Sequence, residues 1–329
     1  MTGPGRLSAC PGFVTTKGAL MTSSSGHPSS GAKTPPGARL MLGALVLTLV
    51  GLWLGVPLSG PTATTLACLA LLVFGLPHGT LDLELIRAHS SGPWTGMVAL
   101  VSIYLALAAS MYGLWRVEPV MALAAFIGIA VVHFSEDWQG AGSVLLRAGL
   151  ALALLSAPTL FHRGELDTIF IGLTDRVEAT IVTDALMLVL PITIGVGLIA
   201  VASLWRAGRR AQALGGLAAL TAMIVLPPIL GFALYFCLFH SPRHFHESLT
   251  TLSWVNLRQW WGVVLPLSLA AGAVAAFIFG LELRTALPDR VMAASFMTLS
   301  ILTVPHMLAP LIAARLSRQD TSLIPNPTA

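Results

Sequence analysis

Apolar residues fill most of the chain in long runs that short polar breaks separate. From Arg39 onward, each run has about the length needed to cross roughly 30 Å of hydrocarbon as a helix. The runs cover approximately residues 40–57, 62–85, 94–115, 119–138, 143–161, 185–205, 209–227, 229–252, 262–283 and 291–312. The pattern predicts an all-α fold, a polytopic bundle of about ten transmembrane helices, with eight to ten as the range.

In two stretches the sequence pattern does not decide where helices begin and end. Pro227-Pro228 interrupts residues 209–252, and two prolines disfavour one continuous helix there. The segment 162–184 is the most acidic of the polar breaks. Its spacing of Ile169, Phe170 and Leu173 indicates a short interfacial helix, but a plain external loop fits equally well.

Composition excludes a soluble fold. Hydrophobic residues make up 55% and charged residues 10% of the chain, with a mean hydropathy of +0.82, whereas soluble domains are about 25% charged. The formal charge of +4 does not indicate a nucleic-acid partner. The first forty residues hold four basic and no acidic residues, and the remaining 14 basic residues are balanced by 14 acidic ones.

The chain divides into three predicted regions. Residues 1–38 are rich in Gly, Ser, Thr and Pro and are predicted to be a disordered tail. Residues 39–318 form the transmembrane bundle, and 319–329 a flexible C-terminal tail. Because basic loops prefer the cytoplasmic side, we expect both termini to be cytoplasmic in a multi-pass protein of the bacterial inner membrane.

Histidines at membrane depth carry the candidate chemistry, because ionisable side chains are expensive there. One lone histidine is more often structural, but five at comparable depth on four spans favour a shared metal. Imidazole ligation without cysteine suits Fe, Cu or Zn. His240 and His244 are four apart, so one helix face presents both. The five are His78, His133, His240, His244 and His306.

Carboxylates accompany two of these histidines. Asp82 follows His78, and Glu136 and Asp137 follow His133. They are candidate acceptors for imidazole N–H groups around a metal, or they cap helices and meet interfacial water. On a regular helix, His246 faces away from His240 and His244. We assign solvated surface positions to the three other histidines, His27, His89 and His162.

Two other functions use the same residues. A membrane metal-ion or proton-coupled transporter would bind its cargo or relay protons through intramembrane histidines, but no inverted repeat or polar ladder is visible. A haem-binding electron-transfer protein would place two histidines on opposite sides of a macrocycle. His240 and His244 lie on one helix, which suits a compact metal better.

Four motifs occur in a characteristic order. They are Gly-Leu-Pro-His-Gly-Thr-Leu-Asp at 75–82, His-Phe-Ser-Glu-Asp at 133–137, His-Ser-Pro-Arg-His at 240–244 and Pro-His at 305–306. In order and spacing they resemble the Brp/Blh family of membrane β-carotene 15,15′-dioxygenases. The resemblance covers nearly all of the chain after residue 60, while the long N-terminal tail and His246 depart from it.

The resemblance implies a non-haem Fe(II) enzyme. It would take a carotenoid from the bilayer and split the central double bond with O₂ into two retinals, which supply a microbial rhodopsin. By position, His78, His133, His240 and His244 would be the catalytic metal ligands. Residues near the site would be Asp82, Glu136, Asp137 and His306.

Overall fold

Every regular element is helical in residues 36–75, 94–252, 257–281 and 286–322, which this computed structural model describes. The first six α-helices in these ranges are α1 Pro36–Trp53, α2 Pro61–Ala70, α3 Trp94–Val117, α4 Pro119–Ser135, α5 Val144–Ser156 and α6 Arg163–Thr174. The other six are α7 Thr180–Arg206, α8 Arg210–Val225, α9 Pro228–Tyr235, α10 Ser241–Leu252, α11 Leu257–Leu281 and α12 Leu287–Ser322. The predicted all-α fold is confirmed.

Several helices have the dimensions of membrane spans. Four are long and apolar enough, namely Pro119–Ala141, Val177–Arg206, Val264–Leu281 and Leu287–Leu308. A fifth is reached if α5 with its 3₁₀ extension and α6, which meet at a bend of 107°, form one broken span. Shorter apolar helices are Gly37–Trp53, Pro61–Gly75, Val101–Val117 and Arg210–Val225. The described residues therefore do not confirm about ten spans.

The helix breaks fall where polar residues and prolines occur. Helix α8 ends at Val225 and α9 begins at Pro228, so the break at Pro227-Pro228 is confirmed. In the segment 162–184, the structure contains helix α6 rather than only a loop. The predicted N-terminal tail lies mostly outside the described residues, and α1 begins at Pro36 within its last three positions.

Small residues bring α5 and α7 into close contact. A Cβ atom on Gly149 would lie 2.2 Å from Val196 Cγ1, so no side chain fits there. A Cβ on Gly197 would lie 3.1 Å from the methyl group of Ala153. Such glycines let helix backbones approach within a membrane bundle, and this contact supports the side of the bundle next to α4.

The outer surface of α7 matches lipid rather than water. Leu188 is 80% exposed and Ile192 is 72% exposed, while Thr183 and Thr193 of the same helix are buried. Exposed apolar side chains on a long uninterrupted helix need a hydrocarbon environment. The long apolar helices are thus those of an integral membrane protein.

Candidate metal centre

The end of α4 supplies the first two residues of the site. The helix is apolar until its last turn, where His133 is only 1% exposed. The backbone then tightens into a 3₁₀ turn, Glu136–Ala141, which places Asp137 inside the bundle with no exposed surface. This irregular turn brings a histidine and a carboxylate to the same interior point.

A π-helical turn supplies the third residue. Phe236–His240 connects α9 to α10, and His240 at its end is fully buried. His244 follows one turn later, and the two ring centroids lie 4.6 Å apart. The four-residue spacing in the sequence does present both imidazoles on the same side.

The three histidines converge. His133 Nε2 and His240 Nε2 lie 3.0 Å apart, and one nitrogen from each of His133, His240 and His244 falls within 4.8 Å of the others. Bonds of about 2 Å from a metal to imidazole hold such nitrogens within about 4 Å of one another. Small adjustments would therefore let all three bind one ion, and imidazole donors suit a first-row transition metal.

Asp137 holds the cluster in place. Its Oδ2 accepts a hydrogen bond from the Tyr235 hydroxyl at 2.7 Å and lies 2.9 Å from His240 Nδ1. When Asp137 is ionised its oxygens can only accept, so Nδ1 of His240 then carries the proton and Nε2 keeps its lone pair for a metal. The other oxygen, Oδ1, lies 3.6 Å from His244 Nε2.

An arginine contacts the same turn. The Arg243 guanidinium donates a hydrogen bond to the backbone carbonyl of Asp137. This contact ties α10 to the 3₁₀ turn after α4 and places a positive charge near the carboxylate. Arg243 therefore helps to fix the two segments that carry the three histidines.

Aromatic rings surround the imidazoles. Phe134 and Phe236 have ring centroids 4.9 Å and 5.1 Å from that of His240. Behind them, Trp138 stacks on Phe239 at 5.0 Å. These rings keep bulk water from the donors on this side, and hydrogen bonds and ion–ligand interactions strengthen when water is excluded.

The other candidate residues from the sequence differ in how close they lie to the three histidines. The His306 ring centroid is 4.9 Å from that of His133, so α12 brings this residue beside the cluster. Glu136 Oε2 lies 3.9 Å from His133 Nδ1, a distance too long for a hydrogen bond. The Glu136 side chain is 44% exposed. His246 is exposed.

His78 and Asp82 lie outside the described residues. The chain is described up to Gly75, three residues before His78, where it packs on the π-helical turn. Ser241 Oγ donates to the Phe74 carbonyl at 2.7 Å, and a Cβ on Gly75 would lie 2.5 Å from the Phe236 ring. The segment that leads to His78 thus contacts the turn that carries His240.

Tyr235 belongs to the site although the sequence analysis does not single it out. Tyr235 and His240 are five residues apart, which puts them on different faces of an α-helix. The π-helical turn, with its wider i to i+5 repeat, lets both reach Asp137 Oδ2. Sequence spacing gives no signal for this arrangement.

The fold and site define a class: an all-helical membrane protein with a buried, imidazole-rich candidate metal centre. A sequence model of the family described as beta-carotene 15,15′-dioxygenase matches residues 69–310. The chain belongs to this family, as the motif resemblance predicts.

Two curated relatives agree with the family match. The beta-carotene 15,15′-dioxygenase of the uncultured marine bacterium 66A03 is 28% identical, over 73% of this chain and 90% of the relative. The probable beta-carotene 15,15′-dioxygenase Blh of Halobacterium salinarum is 31% identical, over 58% of this chain and 63% of the relative. No solved structure gives a significant match.

Proposed function

We propose that this protein is a non-haem iron dioxygenase that splits the central 15,15′ double bond of β-carotene. The reaction breaks the carbon–carbon double bond and the O–O bond, and each new carbonyl carbon receives one oxygen atom, which gives two all-trans-retinal molecules. The observation that carries the proposal is the cluster of His133, His240 and His244, in a chain that belongs to the beta-carotene 15,15′-dioxygenase family.

The proposed metal ligands are His78, His133, His240 and His244. Bound Fe(II) would supply the redox chemistry that lets O₂ react with an alkene. Asp82, Glu136, Asp137 and His306 are proposed as residues near the site. Support comes from the donor chemistry, since three imidazoles converge within 4.8 Å, and from the packing of Phe74 and Gly75 next to Ser241 and Phe236.

The protein's own residues position the reaction. Asp137 fixes the tautomer and direction of His240, and Tyr235 fixes Asp137. Phe134 and Phe236 exclude water from the imidazoles. A carotenoid is a hydrocarbon rod, so it reaches such a site from the lipid without crossing water. Catalysis then depends on holding the central double bond against the metal centre.

The 3.0 Å separation between His133 Nε2 and His240 Nε2 leaves no room for a porphyrin between these two nitrogens. This geometry favours a compact metal over haem. A metal-ion or proton-coupled transporter needs a polar path through the bundle, whereas aromatic rings enclose the cluster on the side of Phe134 and Phe236. We therefore place the transporter second.

The proposed setting is the bacterial inner membrane, with about ten spans and both termini cytoplasmic. Loop charges support this orientation, and the four shorter apolar helices supply additional candidate spans. The retinal product would serve a microbial rhodopsin, since that protein class binds retinal as its chromophore.

The test is expression in bacterial cells that accumulate β-carotene, followed by pigment chromatography and metal analysis of the purified protein. Loss of β-carotene with appearance of retinal is the expected result. Apocarotenals of other lengths would support dioxygenase activity but place the cleavage at a different double bond. Unchanged β-carotene beside folded, iron-loaded protein would overturn the proposal, and folded protein that binds no metal would favour the transporter.

A further inference from the structure

An apolar cavity lies beside the histidine cluster. It holds about 80 Å³ and is enclosed mainly by α4, α6 and α9, with contributions from α5, α7, α8 and α12. Every side chain in its wall is apolar, including Leu123, Leu166, Phe170 and Met223. A cavity with such walls accepts hydrocarbon and offers no partner to a polar ligand or to water.

This cavity adjoins the metal centre. A second, smaller cavity of about 10 Å³ has His133 in its wall. The two cavities share three wall residues, Phe126, Ala130 and Phe232. The shared residues lie between the two cavities, so only these side chains separate the larger cavity from the one that His133 lines.

The other end of the larger cavity has a different chemistry. There it shares Ile169, Pro228 and Ile229 with a third pocket. That pocket is also lined by Thr168 and Asp289. Its wall combines these polar groups with apolar side chains such as Leu230 and Met292, so the wholly apolar wall ends at this boundary.

The wall contributed by α4 sets the length of the passage. Leu123, Phe126, Ala130 and His133 recur at intervals of three or four residues, which places them along one face of the helix. Ten residues separate Leu123 from His133, a rise of about 15 Å. The passage is therefore long and narrow, and it runs parallel to α4.

We propose that the two cavities join past the wall residues they share into one channel, here called the α4 channel, which holds one arm of the carotenoid. The arm is half of the polyene with its terminal ring, and the double bond to be cleaved lies beside His133. This inference rests on the proposed function. Leu123 and the boundary at Ile169 limit how far the ring advances, so they determine which double bond reaches the histidines.

The arm fills more space than the cavities now provide, so side chains must move as it enters. Met223 is flexible and adapts to the shape of its neighbours, and Phe126 and Phe232 can turn about χ1 and χ2. The occupant that the proposed function supplies for this apolar passage is thus the carotenoid arm.

Leu123→Phe tests the channel by shortening its outer end. Two substrates are compared: β-carotene and an apocarotenal in which one arm is shorter. The shorter arm still fits the narrowed channel. Cleavage of β-carotene should fall by about tenfold or more, while cleavage of the apocarotenal stays within about threefold of the wild-type rate. Ile169→Phe, at a partly buried site, should shift the ratio in the same direction if Leu123→Phe does not fold.

Leu220→Phe is the matched control. Leu220 is 3% exposed, close to Leu123 at 1%, and it is in the wall of neither apolar cavity. General overpacking should reduce both activities together and leave their ratio unchanged. An unchanged ratio in folded, metal-loaded Leu123→Phe and Ile169→Phe would overturn the α4 channel while leaving the proposed function intact.

A binding measurement separates the channel from the chemistry. Metal-depleted wild-type protein should retain β-carotene through purification in detergent, as measured by visible absorbance, and Leu123→Phe should retain severalfold less. Wild-type protein that binds β-carotene in this way but never cleaves it would refute the proposed function and leave the channel standing. Equal retention by the wild type and Leu123→Phe would refute the channel.

Discussion

Two histidine–carboxylate pairs in this protein differ mainly in burial. His240 Nδ1 and Asp137 Oδ2 lie 2.9 Å apart, with both side chains 0% exposed. His162 Nδ1 and Glu165 Oε1 lie 3.3 Å apart at the start of α6, with the side chains 17% and 50% exposed. Water competes for the second pair and not for the first. A histidine beside a carboxylate therefore helps to organise the candidate metal centre in one place and contributes little in the other.

The largest expected effect comes from removing an imidazole of the buried cluster. His133→Ala, His240→Ala and His244→Ala should each abolish cleavage and bound iron, a loss of more than roughly a hundredfold, because even partners of metal ligands contribute 10- to 100-fold. Retinal formation and metal content of the purified protein measure this. His162→Ala should retain both, and activity in two of the three cluster variants would contradict the site.

Asp137→Asn should come next. The amide keeps the shape of the side chain but no longer orients His240 by accepting its Nδ1 proton as a charged partner. Iron affinity should fall by about 10- to 100-fold, as measured by competition with a chelator of known affinity. The matched change in the exposed pair, Glu165→Gln, should leave iron affinity unchanged. Equal iron affinity in Asp137→Asn and the wild type would mean that this carboxylate does not position the ligand.

Tyr235→Phe should have a smaller effect. It removes the hydroxyl that donates to Asp137 Oδ2 at 2.7 Å, and hydrogen bonds to charged groups contribute about 1.5–3 kcal/mol. The melting temperature in detergent should fall by several degrees, with a modest loss of iron affinity. Tyr112→Phe removes the hydroxyl of a partly buried tyrosine on α3 and should leave iron affinity unchanged. A similar loss in both variants would argue against a specific contact to Asp137.

The exposed pair should give the smallest effect. A double-mutant cycle of His162→Ala and Glu165→Ala, measured by the free energy of unfolding, should yield a coupling below about 1 kcal/mol. A coupling of several kcal/mol would show that burial is not what separates the two pairs. The His162 ring is more shielded than its predicted surface position implies, because its Nε2 lies 3.3 Å from the Val225 carbonyl.

The sequence predicts those parts of the site that depend on helical spacing. His240 and His244 lie one turn apart, so their common direction follows from the α-helical repeat. The break at Pro227-Pro228 follows equally from local chemistry, because proline removes a backbone donor and clashes with the preceding turn. Regular periodicity thus accounts for the helical class and for much of the cluster.

Irregular backbone accounts for what the sequence does not predict. Asp137 enters the core through a 3₁₀ turn, and Tyr235 reaches it through a π-helical turn. Neither turn has a recognisable residue pattern, since both arise when tertiary packing overrides the α-helical repeat. The 107° bend between the extended α5 and α6 has the same origin, because such bends depend on packing.

The π-helical turn at Phe236–His240 also bears on how this chain tolerates insertions and deletions. A π-turn amounts to one additional residue within an α-helical path. Deleting a single residue from 236–239 would restore the regular α-helical repeat with little net rotation, because the π-turn already accommodates one extra residue. His240 and His244 would keep facing His133, so a one-residue deletion here should be tolerated better than one inside the regular helix α4, where it rotates the following residues by about 100°.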